Sequence, residues 1–121
     1  MFKFVSGISK ENGVRASIVF AKPSTGRWHQ IRRHLNGLSH PILGDSSHGN
    51  SRTNREWRER GLRGERFLLH LARIQLPPTE VTPAIDVTCP LPEEFIQLLN
   101  NNMPELLEDA KPFLTSEGII Y

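Results

Sequence analysis

The clearest period-two pattern runs from Val14 to Lys22, where apolar residues occupy every second position. This alternation predicts a strand with one face towards the core. A turn should follow, because Pro23 fixes its own φ and Gly26 tolerates positive φ. The apolar residues of the strand are Val14, Ala16, Ile18 and Phe20.

Helical spacing replaces this alternation further on. Ile31 and Leu35 are four residues apart and Trp28 lies one turn earlier, which predicts a helix over Trp28–Asn36 that Gly37 ends. A second helix should start with Ser51 or Thr53 as N-cap and run to Arg60, with Gly61 ending it.

The remaining chain alternates again and then turns helical. Arg66–Leu76 suits a strand with one irregularity and both faces at least partly covered, antiparallel to a strand at Ala84–Thr88. His70 in that strand is expected to be a hydrogen-bonded structural histidine. A helix should open near Pro92 and continue to about Asn101, followed by one or two turns within Glu105–Ala110.

The composition fits one soluble domain. The 121 residues are 37% hydrophobic and 23% charged, and no apolar run approaches the roughly 18 residues of a membrane helix. We therefore expect no membrane partner. The lone Cys89 cannot form an internal disulfide, which fits a cytoplasmic protein.

The net charge of +2 conceals a strong division. Residues 1–73 carry fourteen Lys and Arg against five acids, whereas residues 74–121 carry only Lys111 against eight acids. A basic, arginine-rich segment is the footprint expected of a phosphate-bearing partner, although a solvated basic face without a ligand would show the same charge.

Other kinds of site have little support. The five histidines lack cysteines or paired carboxylates at zinc spacing, and the chain contains no P-loop and no G-x-G-x-x-G. We expect neither a metal nor a cofactor. Asp45 follows a glycine and should bond nearby backbone to shape its turn, with a catalytic role less favoured.

The most informative stretch is T-G-R-W-H-Q-I-R-R-H, followed by S-H-P-I-L-G-D and H-G. These strings resemble the third conserved motif of the RluA-type pseudouridine synthases, and the double arginine together with the later N-R-E-W-R-E-R is most similar to a branch that acts on tRNA. The resemblance covers roughly Val14 to Pro77, about half of the chain.

The resemblance implies a cofactor-free enzyme that isomerises uridine in RNA to pseudouridine after flipping the base out of its helix. An aspartate detaches uracil from the ribose, a tyrosine stacks on the base, and an arginine orients the aspartate. By position in the motif that arginine is Arg27. His29, Gln30, Ile31 and Arg32 match the segment that lines the pocket and the phosphate approach.

Further cations are candidates for RNA contact. Arg33 stands beside Arg32, and Arg55 and Arg58 lie on the second predicted helix. That helix could touch the RNA backbone, or it could simply be a solvated helix anchored by Trp57.

The chain departs from the family pattern at one decisive point. The aspartate motif, H-R-L-D-R-x-T-S-G, lies upstream of T-G-R in family members and is absent here, and the only tyrosine is Tyr121. We therefore expect a C-terminal part of a catalytic domain, inactive alone, with the missing N-terminal half or a second copy as partner. The alternative is a non-catalytic tRNA-binding module.

The fold that the resemblance implies is of the α+β type. It has a mixed, mostly antiparallel sheet with flanking helices, of which this chain would supply three or four strands and three helices. Uncovered sheet edges and apolar surface would then favour marginal stability or self-association.

Overall fold

A computed structural model describes residues 2–4, 9–11, 14–23, 26–62 and 67–121. The described residues form six short strands and four helices, which confirms the α+β class. The strands are β1 (Phe2–Phe4), β2 (Ser9–Glu11), β3 (Val14–Ala16), β4 (Val19–Ala21), β5 (Arg73–Leu76) and β6 (Ile85–Thr88). The helices are α1 (Gln30–Gly37), α2 (Ser51–Glu59), α3 (Glu93–Asn102) and α4 (Pro104–Ser116).

The strands pair in three antiparallel ladders, β1 with β4, β2 with β3 and β5 with β6. The strand predicted over Val14–Lys22 is therefore two strands with different partners. Ser17 and Ile18 separate them, and the half-buried Ile18 packs against the core. The predicted inward direction of the apolar side chains is confirmed for Ala16, Ile18 and Phe20, which all pack against core residues.

Helix α1 begins two residues later than predicted, because His29 has a left-handed backbone conformation with φ 49° and ψ 30°. Trp28 consequently lies before the helix and is 68% exposed, whereas Leu35 is buried. The prediction that Trp28 lies on the helix, on the same side as Ile31 and Leu35, was wrong.

The end of α1 also differs from the prediction. Gly37 is the last helical residue, and the left-handed position falls on Ser39, with φ 61°. The His40 N–H donates to the Leu35 carbonyl at 2.9 Å and the Ser39 N–H to the Asn36 carbonyl at 3.0 Å. This is a Schellman cap, so Ser39 takes the role that the sequence assigned to Gly37.

Helix α2 begins at Ser51 with Asn50 as its N-cap, since the Asn50 side chain accepts a hydrogen bond from the Thr53 N–H at 3.0 Å. The predicted N-cap at Ser51 or Thr53 was one to three residues late. The predicted end at Gly61 is confirmed by its φ of 110°. The Leu62 N–H closes the cap on the Trp57 carbonyl at 3.0 Å.

The β5–β6 hairpin confirms the predicted antiparallel pair, with Arg73 opposite Thr88 and Leu76 opposite Ile85. The first strand is shorter than expected: residues 67–72 are not in a strand, and Arg66 lies outside the described residues. The prediction that both faces of this strand are at least partly covered was wrong for the hairpin. Leu68 and Ala72 pack against the core, but the strand residues that follow are mostly exposed. The outer apolar side chains of the hairpin, between 40% and 57% exposed, are Ile74, Leu76, Ile85 and Val87.

His70 has the structural role that was predicted. Its Nε2 donates to the Cys89 carbonyl at 3.0 Å, and its ring meets the edge of Phe95. Self-association through the exposed hairpin stays a prediction.

The core lies where α3 and α4 pack against each other and against the end of α2. One cluster contains Trp57, Leu62, Leu98, Met103 and Leu106, and a second contains Leu107, Ala110, Leu114 and Ile119. Ile18 and Leu99 contact both clusters. Helix α4 is longer than the one or two turns predicted and continues through Pro112, because buried side chains on both sides of that residue hold it to the core.

No helix in the described part of the chain has the length and apolar character needed to span a lipid bilayer.

Truncating the centre of the core should destabilise the whole chain. Leu106 is 1% exposed, so Leu106→Ala should lower the free energy of unfolding by about 2–5 kcal/mol through lost burial and a cavity. Urea unfolding followed by circular dichroism measures this. Leu76→Ala, on the exposed hairpin, removes the same atoms and should change the unfolding midpoint far less; equal effects would contradict the assigned core.

Candidate functional site

The centre of the site is Asp45, which is 0% exposed although it lies in the loop between α1 and α2. Arg32 on α1 donates two hydrogen bonds to its carboxylate, from Nε to Oδ2 at 2.7 Å and from Nη2 to Oδ1 at 2.8 Å. The backbone N–H groups of Ser47 and His48 donate to Oδ1 at 3.1 and 2.9 Å. A bidentate ion pair therefore ties the loop to the helix.

This arrangement keeps the carboxylate charged. Hydrogen bonding from Arg32 is the largest cause that lowers the Asp45 pKa to about 2, and it outweighs the opposing effect of burial. The same bond raises the pKa of Arg32. The guanidinium carbon of Arg32 also lies 4.4 Å from the centre of the Phe67 ring. These contacts fix the arginine from two sides.

Asn54 on α2 fastens the loop from the opposite direction. Its side chain is buried, accepts from the Gly44 N–H at 2.8 Å and donates to the Asp45 carbonyl at 2.9 Å. Gly44 has φ 88°, and a Cβ on Gly49 would overlap the Asp45 carbonyl oxygen. Glycine is needed at both positions for different reasons, a left-handed backbone at one and a close approach at the other.

A cluster of rings lies beside the ion pair. His29 Nδ1 and His48 Nε2 are 3.0 Å apart, so one ring donates a hydrogen bond to the other. The Trp28 ring stacks on His29 with centroids 3.6 Å apart and planes 20° apart. The Arg33 guanidinium carbon is 5.9 Å from the Trp28 ring centre. We call Trp28, His29, Arg33 and His48 the Trp28 cluster.

The His29 imidazole is held towards its neutral form. Desolvation is the largest cause that lowers its pKa, and the nearby positive charge of Arg32 acts in the same direction. A neutral His29 can accept from or donate to His48, whereas two charged rings at this distance would repel.

The predicted site residues differ in their exposure and in whether they have a partner within the chain. Arg27 is exposed in the turn before α1, and among the described residues no carboxylate forms an ion pair with it. Gln30 and Ile31 are half-buried at the start of α1, and the Gln30 N–H donates to the Arg27 carbonyl at 3.1 Å. Arg55 and Arg58 are exposed on α2. Arg32, in contrast, has its partner within the chain.

Sequence reasoning missed three features of this site. It anticipated that Asp45 bonds local backbone, which is confirmed, but it did not predict the Arg32 partner, the Asn54 clamp or the His29–His48 contact. The consecutive small and polar residues after Asp45 were a signal for backbone donors. Nothing in the chain order indicates a pair between residues thirteen positions apart.

A small cleft of about 100 Å³ lies between the end of α2 and α3, with Arg60, Glu94 and Asn101 in its lining and none of the predicted site residues. Within the described ranges, no three His, Cys, Asp or Glu side chains are grouped so that they could hold a metal ion.

Comparison with known proteins gives a consistent set of relatives. The chain is 40% identical over 85 residues to "tRNA pseudouridine synthase C" of Salmonella typhi, which covers 70% of this chain and 32% of that protein. It is 36% identical over 93 residues to the protein of the same name from Yersinia pestis, covering 77% and 36%. It is 42% identical over 67 residues to the protein of that name from Vibrio vulnificus, which covers 55% of this chain and 27% of that protein.

These matches confirm the resemblance that the sequence motifs predict, including its tRNA-acting branch. The chain spans about a third of the length of the curated relatives it matches. No family model matches the chain, and no solved structure matches it significantly.

The buried ion pair should make stability depend on acid. The Asp45 pKa is lowered in the folded chain, so its contribution is complete above the ordinary value of 3.8 and is lost as pH falls from about 4 towards 2. The loss should be about 2 kcal/mol in the free energy of unfolding. Urea unfolding at pH 2 to 6, compared with Asp45→Asn, measures it.

Asp86 supplies the matched control. Its ion pair with Arg73 at 2.8 Å is exposed, so Asp86→Asn should leave most of the acid dependence in place. An Asp45→Asn chain that keeps the full acid dependence would contradict the assignment.

The histidine contact gives a separate prediction. The ring protons of His29 should titrate below those of the same residue in the urea-unfolded chain, because desolvation, Arg32 and His48 all lower its pKa. His48→Asn removes one of these causes and should raise the His29 pKa. Nuclear magnetic resonance titration measures both, and a His29 that titrates at or above its unfolded value would refute the geometry.

Proposed function

Because the chain is similar over most of its length to proteins named tRNA pseudouridine synthase C, we propose that it provides the arginine-bearing part of an RNA pseudouridine synthase. The reaction is the isomerisation of uridine to pseudouridine, with tRNA as the substrate and the cytoplasm as the place of action. The single observation that carries this proposal is the 40% identity over 85 residues with the Salmonella typhi protein of that name.

In this proposal Arg27 orients the catalytic carboxylate. Its exposure supports that role, because a guanidinium without a carboxylate among the described residues can form a bidentate pair with one supplied from elsewhere. Such a pair would keep an aspartate ionised and aimed at the ribose. The isomerisation needs no further atoms or electrons from a cofactor. The bond between uracil N1 and ribosyl C1′ breaks, a bond between uracil C5 and C1′ forms, and the C5 proton is lost while N1 gains a proton.

Arg32 has a different place in this proposal. Both of its donors to Asp45 lie within hydrogen-bonding distance, so its charge is largely matched inside the chain. The contacts with RNA phosphates therefore fall to Arg33, Arg55 and Arg58, whose side chains are exposed. Arg32 supports these contacts indirectly, by holding α1 against the loop, and His29, Gln30 and Ile31 line the approach beside it.

The alternative is a tRNA-binding module without chemistry. It is favoured by one observation, the fourteen Lys and Arg against five acids in residues 1–73, which suit a phosphate-bearing partner whether or not a reaction follows. Both functions require tRNA binding through several phosphates. The two proposed functions differ in whether Arg27 orients a catalytic carboxylate.

The test is a chimera in which residues 26–49 of this chain replace the matching segment of the Salmonella typhi relative. Release of tritium from tRNA labelled at uridine C5 measures isomerisation. The chimera should be active, and Arg27→Lys in it should reduce the rate about a hundredfold, because a single ammonium cannot aim a carboxylate as a fork does. Arg27→Lys should leave tRNA binding nearly unchanged.

Two results would decide against the catalytic proposal. One is an inactive chimera that still folds and binds tRNA, which favours the binding module. The other is an active chimera that tolerates Arg27→Lys, which removes Arg27 from catalysis. Arg55→Lys, the same exchange on an exposed surface of α2 in the whole chain, also keeps its charge and should leave the affinity for tRNA nearly unchanged.

A further inference from the structure

The core makes no use of Trp28, although tryptophan is the largest apolar side chain of the motif. It is 68% exposed, in contrast to Trp57, which is 1% exposed. One face of the Trp28 ring stacks on His29. The His48 ring approaches the Trp28 ring edge-on, with centroids 5.8 Å apart, and the Arg33 guanidinium lies over it at 5.9 Å. With 68% of the side chain still exposed, part of the aromatic surface is available to a ligand.

The ring is also held in place. His29 has a left-handed backbone, which is uncommon in a non-glycine residue and is accompanied here by contacts of its ring on two sides. Its ring is bonded to His48, and the His48 N–H is bonded to the buried carboxylate of Asp45. The orientation of the exposed tryptophan thus follows from the buried Arg32–Asp45 pair, which reduces the ordering that binding would require.

The surroundings of the ring are cationic. The guanidinium carbon of Arg33 lies 5.9 Å from the centre of the Trp28 ring, and Arg27, the residue before Trp28, is exposed. Residues 22–49 carry four Lys and Arg and a single carboxylate, which Arg32 already neutralises. A protein partner would more often meet a tryptophan within an apolar patch, whereas an aromatic face beside guanidinium groups suits a base next to its phosphate.

We propose that Trp28 is a stacking platform for an unpaired nucleobase of RNA, with Arg33 placed to contact the adjoining phosphate. The proposal rests on the proposed function for the class of ligand, RNA. It adds the site at which a base outside the helix is held. His29 and His48 orient the platform from behind.

The experiment measures binding of the full chain to a tRNA transcript and to a ten-residue oligouridylate, by fluorescence anisotropy at two salt concentrations. Trp28→Leu should weaken binding to both about tenfold, the size expected for one lost stack, with an unchanged salt slope because no charge is removed. Trp28→Phe keeps an aromatic face and should bind nearly as well as the original chain.

Two further variants separate stacking from charge and from general loss of apolar surface. Arg33→Gln should weaken binding and reduce the salt slope by about one. Leu38→Ala removes another exposed apolar side chain, 58% exposed at the end of α1, and should have no effect. Circular dichroism checks that each variant is folded.

The outcomes distinguish the platform from the proposed function. If Trp28→Leu binds RNA like the original chain while Arg33→Gln is weaker, RNA binding stands and the platform is overturned. If the chain binds oligouridylate in a Trp28-dependent manner but not tRNA, the platform stands and the tRNA function fails. If the original chain binds neither RNA, both are overturned.

Discussion

The buried ion pair between Arg32 and Asp45 is the interaction on which the site depends. Removing a carboxylate from water is unfavourable, and a single cation seldom compensates for it unless further hydrogen bonds satisfy the remaining lone pairs. Asp45 meets this condition with two guanidinium donors and two backbone N–H groups. Because these donors come from α1 and from the loop itself, the carboxylate can be both buried and charged only when helix and loop are both in place.

The loop sequence follows from that requirement. A backbone that turns tightly enough to aim two successive N–H groups at its own aspartate needs a left-handed residue before it, and Gly44 provides this with φ 88°. The return of the chain brings Gly49 against the Asp45 carbonyl, where a side chain would not fit. The Asn54 side chain then forms hydrogen bonds with the Gly44 N–H and the Asp45 carbonyl, which have no partner within the turn itself. Local conformation, packing and polar satisfaction therefore agree, which is the mark of a well-specified segment.

The sequence allowed the kinds of elements to be predicted better than their ends. The helical spacing of Ile31 and Leu35 and the Gly61 stop were reliable because they depend on local periodicity and local backbone freedom. The start of α1 was misplaced, since His29 adopts a left-handed conformation, which histidine visits more often than most residues but which the apolar spacing does not indicate. The Arg32–Asp45 pair could not be predicted for a similar reason. A contact across thirteen positions depends on how a helix and a loop fold back on each other, and a single sequence records no trace of that.

The double arginine shows how neighbouring identical residues acquire different roles. Successive residues on a helix point about 100° apart, so Arg32 and Arg33 cannot face the same phosphate or the same carboxylate. Arg32 is paired with the buried carboxylate, and the Arg33 guanidinium lies 5.9 Å from the centre of the exposed Trp28 ring. The inward arginine contributes rigidity and little net charge, while the outward arginines contribute attraction for a polyanion that falls with added salt. One dipeptide therefore supplies both the fixed framework of the surface and part of its charge. Exchanging Arg32 for lysine would weaken the framework, because a single ammonium cannot replace the two guanidinium donors, whereas exchanging Arg33 for lysine would keep the charge.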